Sequence, residues 1–406
     1  MVIIMTMEIK PPQLEIDLGM EVYKSKAPGI GGTLKQVPED FRVEEITPEG
    51  IILEIDKDTV GGNCQRGENN RSLHLTMQKY NWDTMRAVKE IAKGLHISYK
   101  RVGFAGTKDK KAVTTQRLSI WDAKIEDAQR ICVQDIILRD FSYKDDSIGL
   151  GGLYGNRFTV VIRDLDGPLG DIRERIIGMI AELHGQAPAF FGIQRFGSVR
   201  PITHLVGREI LRGDIRAAVM TYLAKDFPAE DNGIRKMRIA LAESGDIRRA
   251  LREFPRHLAY ETAMLNHLVN RPDDYAGAIR RMPKNLSKMF IHAYQGYVFN
   301  RAMSEYMRRG IPVERLPLVG FRTEVDEVTA NILEREGVAT EHFRIGQMPE
   351  LSSKGEYRDC YAPVEGLEVT GVSEDDFHSG KSKATIRFTL RKGNYATVLL
   401  REIMKN

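Results

Sequence analysis

The side chains best placed for chemistry lie in one stretch, Arg101 to Ile120, RVGFAGTKDKKAVTTQRLSI. Asp109 stands between Lys108 and Lys110, with Lys111 following. A carboxylate among ammonium groups is expected to stay ionised, because neighbouring positive charge favours its charged form. An ionised carboxylate held on a loop is a competent nucleophile. For an isolated Lys-Asp-Lys triplet, a solvated turn is the simpler reading. The surrounding string has to decide between the two.

That string reads strand, loop, strand. Val102 and Phe104 form an apolar approach, and Ala112 to Ile120 has β-rich, roughly alternating character. Gly103 and Gly106 allow a sharp turn or a close approach. Upstream, Leu34 to Ile46 predicts a second strand. Phe41, Val43 and Glu45 fall on one side of it, and Arg42, Glu44 and Ile46 on the other. A carboxylate on the face of Phe41 and Val43 is unusual, and an edge strand with mixed faces would accommodate it.

Taken whole, G-x-K-D-x-x-A-x-T-x-Q (Gly106, Lys108, Asp109, Ala112, Thr114, Gln116) resembles the signature of the TruD family of tRNA pseudouridine synthases. The match is to an archaeal-type member. P-x-D-F-x-V-x-E at Pro38 to Glu45, N-W-D-T at Asn81 to Thr84 and G-N-x-F at Gly155 to Phe158 resemble further motifs of that family. So do F-G-x-Q-R-F-G at Phe191 to Gly197, Phe290 to Asn300, and Phe388 to Thr397 with Leu400 to Glu402. The resemblance implies that Asp109 is catalytic, that Lys35 is its basic partner and that Asn156 orders the loop. It further implies substrate contacts from Phe41, Glu45, Lys108, Phe158, Gln194 and Arg195, with Phe158 stacking on the target base. Without the motifs, Phe158 reads as a core residue of an alternating strand. Arg195, with Phe191 and Phe196, reads equally as an RNA grip or as a core turn.

The remaining elements must position these groups. Ile51 to Lys57 and Leu73 to Lys79 alternate like paired strands, joined by a polar loop (Gly61 to Asn63, Gln65 to Arg71). A helix through Leu95 starts at Asp83 or Thr84. Helical character is expected at 123–131 and 168–183, and strands at 136–143 and 157–163. From about 201 to 310 helices follow one another, at 205–211, 215–223, 240–251, 258–269 and 286–307. Two basic groups lie here: Arg235, Lys236, Arg238, Arg248, Arg249, Arg252 and Arg256, then Arg280, Arg281, Lys284 and Lys288. They suggest a surface for an RNA backbone. Ser373 to Lys383 reads as an exposed loop, Ala384 to Leu390 as a strand and Asn394 to Met404 as a closing helix. Glycine-rich Gly149 to Gly155 misses G-x-G-x-x-G by one position and leads into a strand, so a dinucleotide site is not expected.

The expected fold is α+β: a mainly antiparallel sheet with helices, carrying a mostly helical insertion domain. Its sheet domain takes residues 1–188 and 356–406, and the insert 189–355. A net charge of +4 does not by itself announce a polyanion partner. Three cysteines, Cys64, Cys132 and Cys360, lack C-x-x-C spacing and suit a reducing cytosol. The apolar start ends by Glu8, too short for a membrane span, so a cytoplasmic protein is expected. By resemblance the reaction converts uridine to pseudouridine in RNA, with tRNA the partner and uridine 13 the leading target. No cofactor and no metal are expected. Two rivals remain: a non-catalytic RNA-binding protein or tRNA-folding chaperone, and a ribosyl hydrolase acting on free nucleosides.

Overall fold

The computed structural model describes residues 9–59 and 71–406. The polar loop expected after residue 60 and the start of the chain therefore lie outside the described residues, the former save Arg71. The chain divides into two compact units. One comprises Ser25–Ala187 and Ala362–Asn406, the other Pro188–Tyr361 with the described residues up to Lys24. Residues 9–24 thus group with the helical unit, whereas the sequence reading kept them with the sheet.

The first unit is built on a sheet of β1 (Thr33–Leu34), β2 (Phe41–Ile46), β3 (Ser72–Tyr80), β4 (Val102–Phe104), β5 (Val113–Trp121), β6 (Ile136–Lys144), β7 (Gly155–Leu165) and β8 (Gln186–Pro188). Strands β9 (Arg315–Leu318) and β10 (Glu356–Asp359) pair separately in the helical unit, while β11 (Tyr361–Glu374) and β12 (Ser382–Arg391) return to the large sheet. Its order is β6-β3-β5-β2-β7-β12-β11-β8, with β1 on β7 and β4 on β5. Central pairings are antiparallel except for β2 and β5, which run parallel.

Strand parity sorts the side chains. Leu73, Leu75 and Met77 of β3, with Leu118 and Ile120 of β5, pack under the helix Thr84–Gly94 through Ala87, Val88, Ile91 and Ala92. That helix begins where Asp83 Oδ1 accepts the Arg86 N–H at 2.9 Å, which satisfies one of its free first-turn donors. Phe41, Val43, Phe158, Val160 and Phe388 meet the helices Leu169–Leu183 and Ala396–Met404 in a second core.

Segment 51–57 does not form the expected strand; only an isolated bridge joins Ile46 to Ile52. Its polar backbone is satisfied otherwise: Leu53 N–H donates to the Glu45 carbonyl, Ile55 N–H to Glu44 Oε1, and the Leu53 carbonyl accepts from the Thr115 hydroxyl. Instead β3 pairs with β5 and β6. The expected loop 373–383 shrinks to a turn because β11 extends to Glu374, a strand interrupted by register shifts that hide its alternation.

The helical unit centres on Lys284–Arg309, which ends at left-handed Gly310. Within it, buried Asn300 accepts the Phe191 N–H at 2.8 Å and donates to the carbonyls of Phe191 and Leu18. The helix expected at 240–251 is two, Asn232–Ser244 and Ile247–Glu253. Gly245 adopts φ 64° and Asp246 caps the second. Arg238 does not face solvent: it is fully buried and bonds Glu230 and Glu261, each at 2.9 Å. Arg235, Arg249 and Arg280 pair with Asp226, Glu253 and Glu350. The first basic group is therefore in part an internal ion-pair network, because acids of the neighbouring turns and helices fold onto it. Lys236, Arg248, Arg252 and Arg256 remain exposed.

Candidate active site

Between β4 and β5 the loop 105–112 carries Asp109, whose side chain is 47% exposed. Lys35 Nζ lies 2.7 Å from Asp109 Oδ1 and 3.9 Å from the centre of the Phe41 ring. Lys35 follows β1 with φ 55°, a left-handed conformation uncommon for a side chain of this size.

The loop is tied from below at Gly106, Lys108 and Asp109. Gln116 Nε2 donates to the Gly106 carbonyl at 3.1 Å. Lys108 N–H donates to the Thr84 hydroxyl at 3.0 Å. Lys108 Nζ pairs with Glu45 Oε2 at 2.6 Å, both side chains nearly solvent-free. Glu45 Oε1 accepts the Arg117 N–H at 3.0 Å. Lys79 is fully buried, and its Nζ donates at 2.7 Å to the main-chain carbonyls of both Asp109 and Trp82. Burial pushes the Lys79 ammonium down to about 8, an effect that the attraction of Asp109 opposes.

Asn156 and Phe158 follow on β7, opposite Glu45 and Val43 of β2. Asn156 Oδ1 is buried and accepts no hydrogen bond among the described residues. Phe158 is 6% exposed, stacked on Phe388 with centroids 5.2 Å apart and edge-on to Phe41 at 6.0 Å. Its ring therefore belongs to the core as it stands, and little of it faces solvent. Phe41, Glu45, Lys108, Asp109, Lys35, Asn156 and Phe158 thus all belong to the sheet unit. Gln194 and Arg195 belong to the other, on the turn Ile193–Arg195. Gln194 is exposed there, and the Arg195 guanidinium sits 5.3 Å from the Phe191 ring centre. Phe191 and Phe196 are buried against Phe299 and His204, as core aromatics.

Lys79 is the member that sequence reasoning missed. The signal was available: it continues the parity of Leu73, Leu75 and Met77, so an ammonium had to enter the apolar side of β3. Chemically, the assembly fixes one half-exposed carboxylate, with an ammonium on one oxygen, above a buried polar support. Among the described residues no group of three His, Cys, Asp or Glu side chains is arranged to hold a metal ion, and no helix is long and apolar enough to cross a membrane.

Residues 17–320 and 315–403 match the family model of tRNA pseudouridine synthase D (TruD). A Methanococcoides burtonii protein bearing that name is 36% identical over 445 residues, covering 97% of this chain and 98% of its own. One from Methanocaldococcus jannaschii is 36% identical, covering 96% and 99%. A crystal structure of a Methanosarcina mazei protein assigned to the same family superposes with a TM-score of 0.83 at 34% identity, covering 98% of both chains.

Proposed function

The chain belongs to the tRNA pseudouridine synthase D (TruD) family of isomerases, and on that premise we propose that it converts uridine 13 of tRNA to pseudouridine in the cytoplasm, with Asp109 as nucleophile. The observation that carries the assignment is the fixed, half-exposed Asp109 carboxylate with Lys35 at 2.7 Å. In this reading a stacked uridine leaves its helix and enters the site. The N1–C1′ bond breaks, the uracil turns while held, C5 bonds to C1′, N1 takes up a proton and the C5 proton leaves. Asp109 captures C1′ while it has oxocarbenium character, as a glycosidase carboxylate does. Addition to the uracil ring and abstraction of a sugar proton would balance equally, and both still require that carboxylate. Lys35 positions it and balances its charge.

The test is release of tritium to water from unmodified tRNA transcript labelled at uridine C5. Wild type releases it and Asp109→Asn does not, and mapping the product places the modification. Tight RNA binding without release by wild type would favour the non-catalytic RNA-binding reading instead.

A further inference from the structure

The glycine-rich segment that fits no dinucleotide site forms a stiff loop beside Asp109's own loop. Ile148 N–H donates to Ser119 Oγ at 2.8 Å, and Gly151 N–H to the Ala105 carbonyl at 2.7 Å. Lys392 Nζ donates to the Gly151 carbonyl at 2.9 Å. A Cβ on Gly103 would lie 2.4 Å from the Ile148 carbonyl, so only glycine lets the loop seat against β4. At the tip of this braced turn stands Leu150, 83% exposed, the most exposed large apolar side chain among the described residues. Single exposed leucines are ordinary on surfaces. This one is held by hydrogen bonds at both shoulders, and one of them ends on Ala105, four residues before Asp109. Four residues of chain reach at most roughly 14 Å, so the anchor of Leu150's turn lies within that distance of Asp109.

A cavity of about 480 Å³ behind the loop is lined by Ile148, Gly149 and Gly152, by the bases Arg117 and Lys144, and by the acids Glu45, Glu49, Asp140 and Asp146. Arg117 Nε is buried without a hydrogen-bond partner, and the carboxylates of Asp140, Glu45 and Glu49 act on its charge. Arg117 is on the opposite parity of β5 from Gln116, while Glu45, which holds Lys108, also lines the cavity.

We propose that Leu150 is an apolar wedge that enters the RNA base stack where the target uridine leaves it, holding the uridine out for Asp109. This rests on the pseudouridylation reading above. Apolar side chains, leucine among them, open base steps in this way in other nucleic-acid complexes. A wedge matters only when there is a stack to open.

The experiment compares wild type, Leu150→Ala and Leu150→Met on a folded tRNA transcript and on a single-stranded oligonucleotide carrying the same uridine. Single-turnover tritium release is one readout. Fluorescence of 2-aminopurine placed beside uridine 13 is the other, since it rises when its neighbour unstacks. Leu150→Ala should lose about tenfold or more in rate on folded tRNA, stay within about twofold on the oligonucleotide, and lose the fluorescence rise. Leu150→Met should retain both. Equal losses on the two substrates, or full activity and fluorescence on folded tRNA, would overturn the wedge. Absence of tritium release from wild type would instead defeat the pseudouridylation reading. The fluorescence rise and its dependence on Leu150 would then still decide whether the stack is opened by this residue.

Discussion

Replacing Lys79 by Met asks whether a buried ammonium holds the loop that presents Asp109. The substitution removes two donors and leaves the carbonyls of Asp109 and Trp82 without them. Each carbonyl left unsatisfied costs at most about 1–3 kcal/mol, the figure for a buried group, and both sit only partly buried. In the other direction, burial displaces the ammonium from 10.5 to about 8. At about 1.4 kcal/mol per pKa unit, roughly 3 kcal/mol of desolvation disappears with the charge. These terms offset to within a few kcal/mol, so the variant folds. The loop tether does not survive. One charge-assisted hydrogen bond is worth ~1.5–3 kcal/mol, which is a loss of roughly 10- to 100-fold in the single-turnover rate. The pH dependence supplies a second signature. Because the folded-state pKa lies below the unfolded one, the unfolded chain binds more protons between about pH 8 and 10.5, and this group makes the protein more stable as pH rises through that window. The rate moves the opposite way: the neutral amine keeps two N–H donors but loses its charge. Wild type should therefore gain stability and lose rate above about pH 8, and Lys79→Met should show neither change from this group. Tritium release and thermal unfolding, measured on the same samples, read both. A Lys79→Met enzyme at the wild-type rate, or a wild-type rate that stays level to about pH 9.5, would refute the reasoning.

Glu45→Gln keeps an acceptor for Arg117 N–H but strands the Lys108 ammonium, which is nearly solvent-free. Breaking a buried pair from one side costs about 3–5 kcal/mol, or roughly 6–20 °C in Tm for a unit of this size. Combining it with Lys108→Met should recover part of the loss, and a single variant that melts with wild type would exclude a buried pair. In the helical unit, His204 packs edge-on to Phe196 and tilted on Tyr297, each at 5.2 Å, and burial pushes it down to about 3. Its folded pKa lies below the unfolded value of about 6.5, so stability contributed here is present at neutral pH and falls as pH drops from about 6.5 towards 3. Its imidazole resonances should show no titration between about pH 5 and 8, and His204→Leu should flatten the acid limb of thermal stability; a midpoint near 6.5 would contradict the burial.

Local grammar carried much of the architecture. Asp83 before an apolar helical face, Pro168 before another and the alternation of β5 and β7 each depend on neighbours within a few residues, so the chain displays them openly. The Asp109 loop was legible as a whole string, and its pairing with Lys35 came from family resemblance, since 74 residues separate them. What escaped the sequence was satisfied by side chains of other elements. Segment 51–57 alternates like a strand, yet Glu44 and Thr115 side chains take its backbone groups. Arg238 reads as one more surface charge until Glu230 and Glu261 close on it. Charge counting treats it like Lys236, which does face solvent.

Glu45 shows how such an anomaly can point inward to the site. Strands β2 and β5 run parallel only from Arg42↔Val113 to Glu44↔Thr115. One step further the carboxylate of Glu45, rather than a main-chain carbonyl, accepts the Arg117 N–H. The ladder thus continues through a side chain. Its second oxygen holds Lys108, the residue before Asp109. A carboxylate on the apolar parity of β2 would be a liability if it were merely buried. Here it joins the end of the parallel pair to the root of the 105–112 loop, so any parting of β2 and β5 would shift Asp109 as well. The residue that looks misplaced in the strand pattern is the one that couples the sheet to the loop of Asp109.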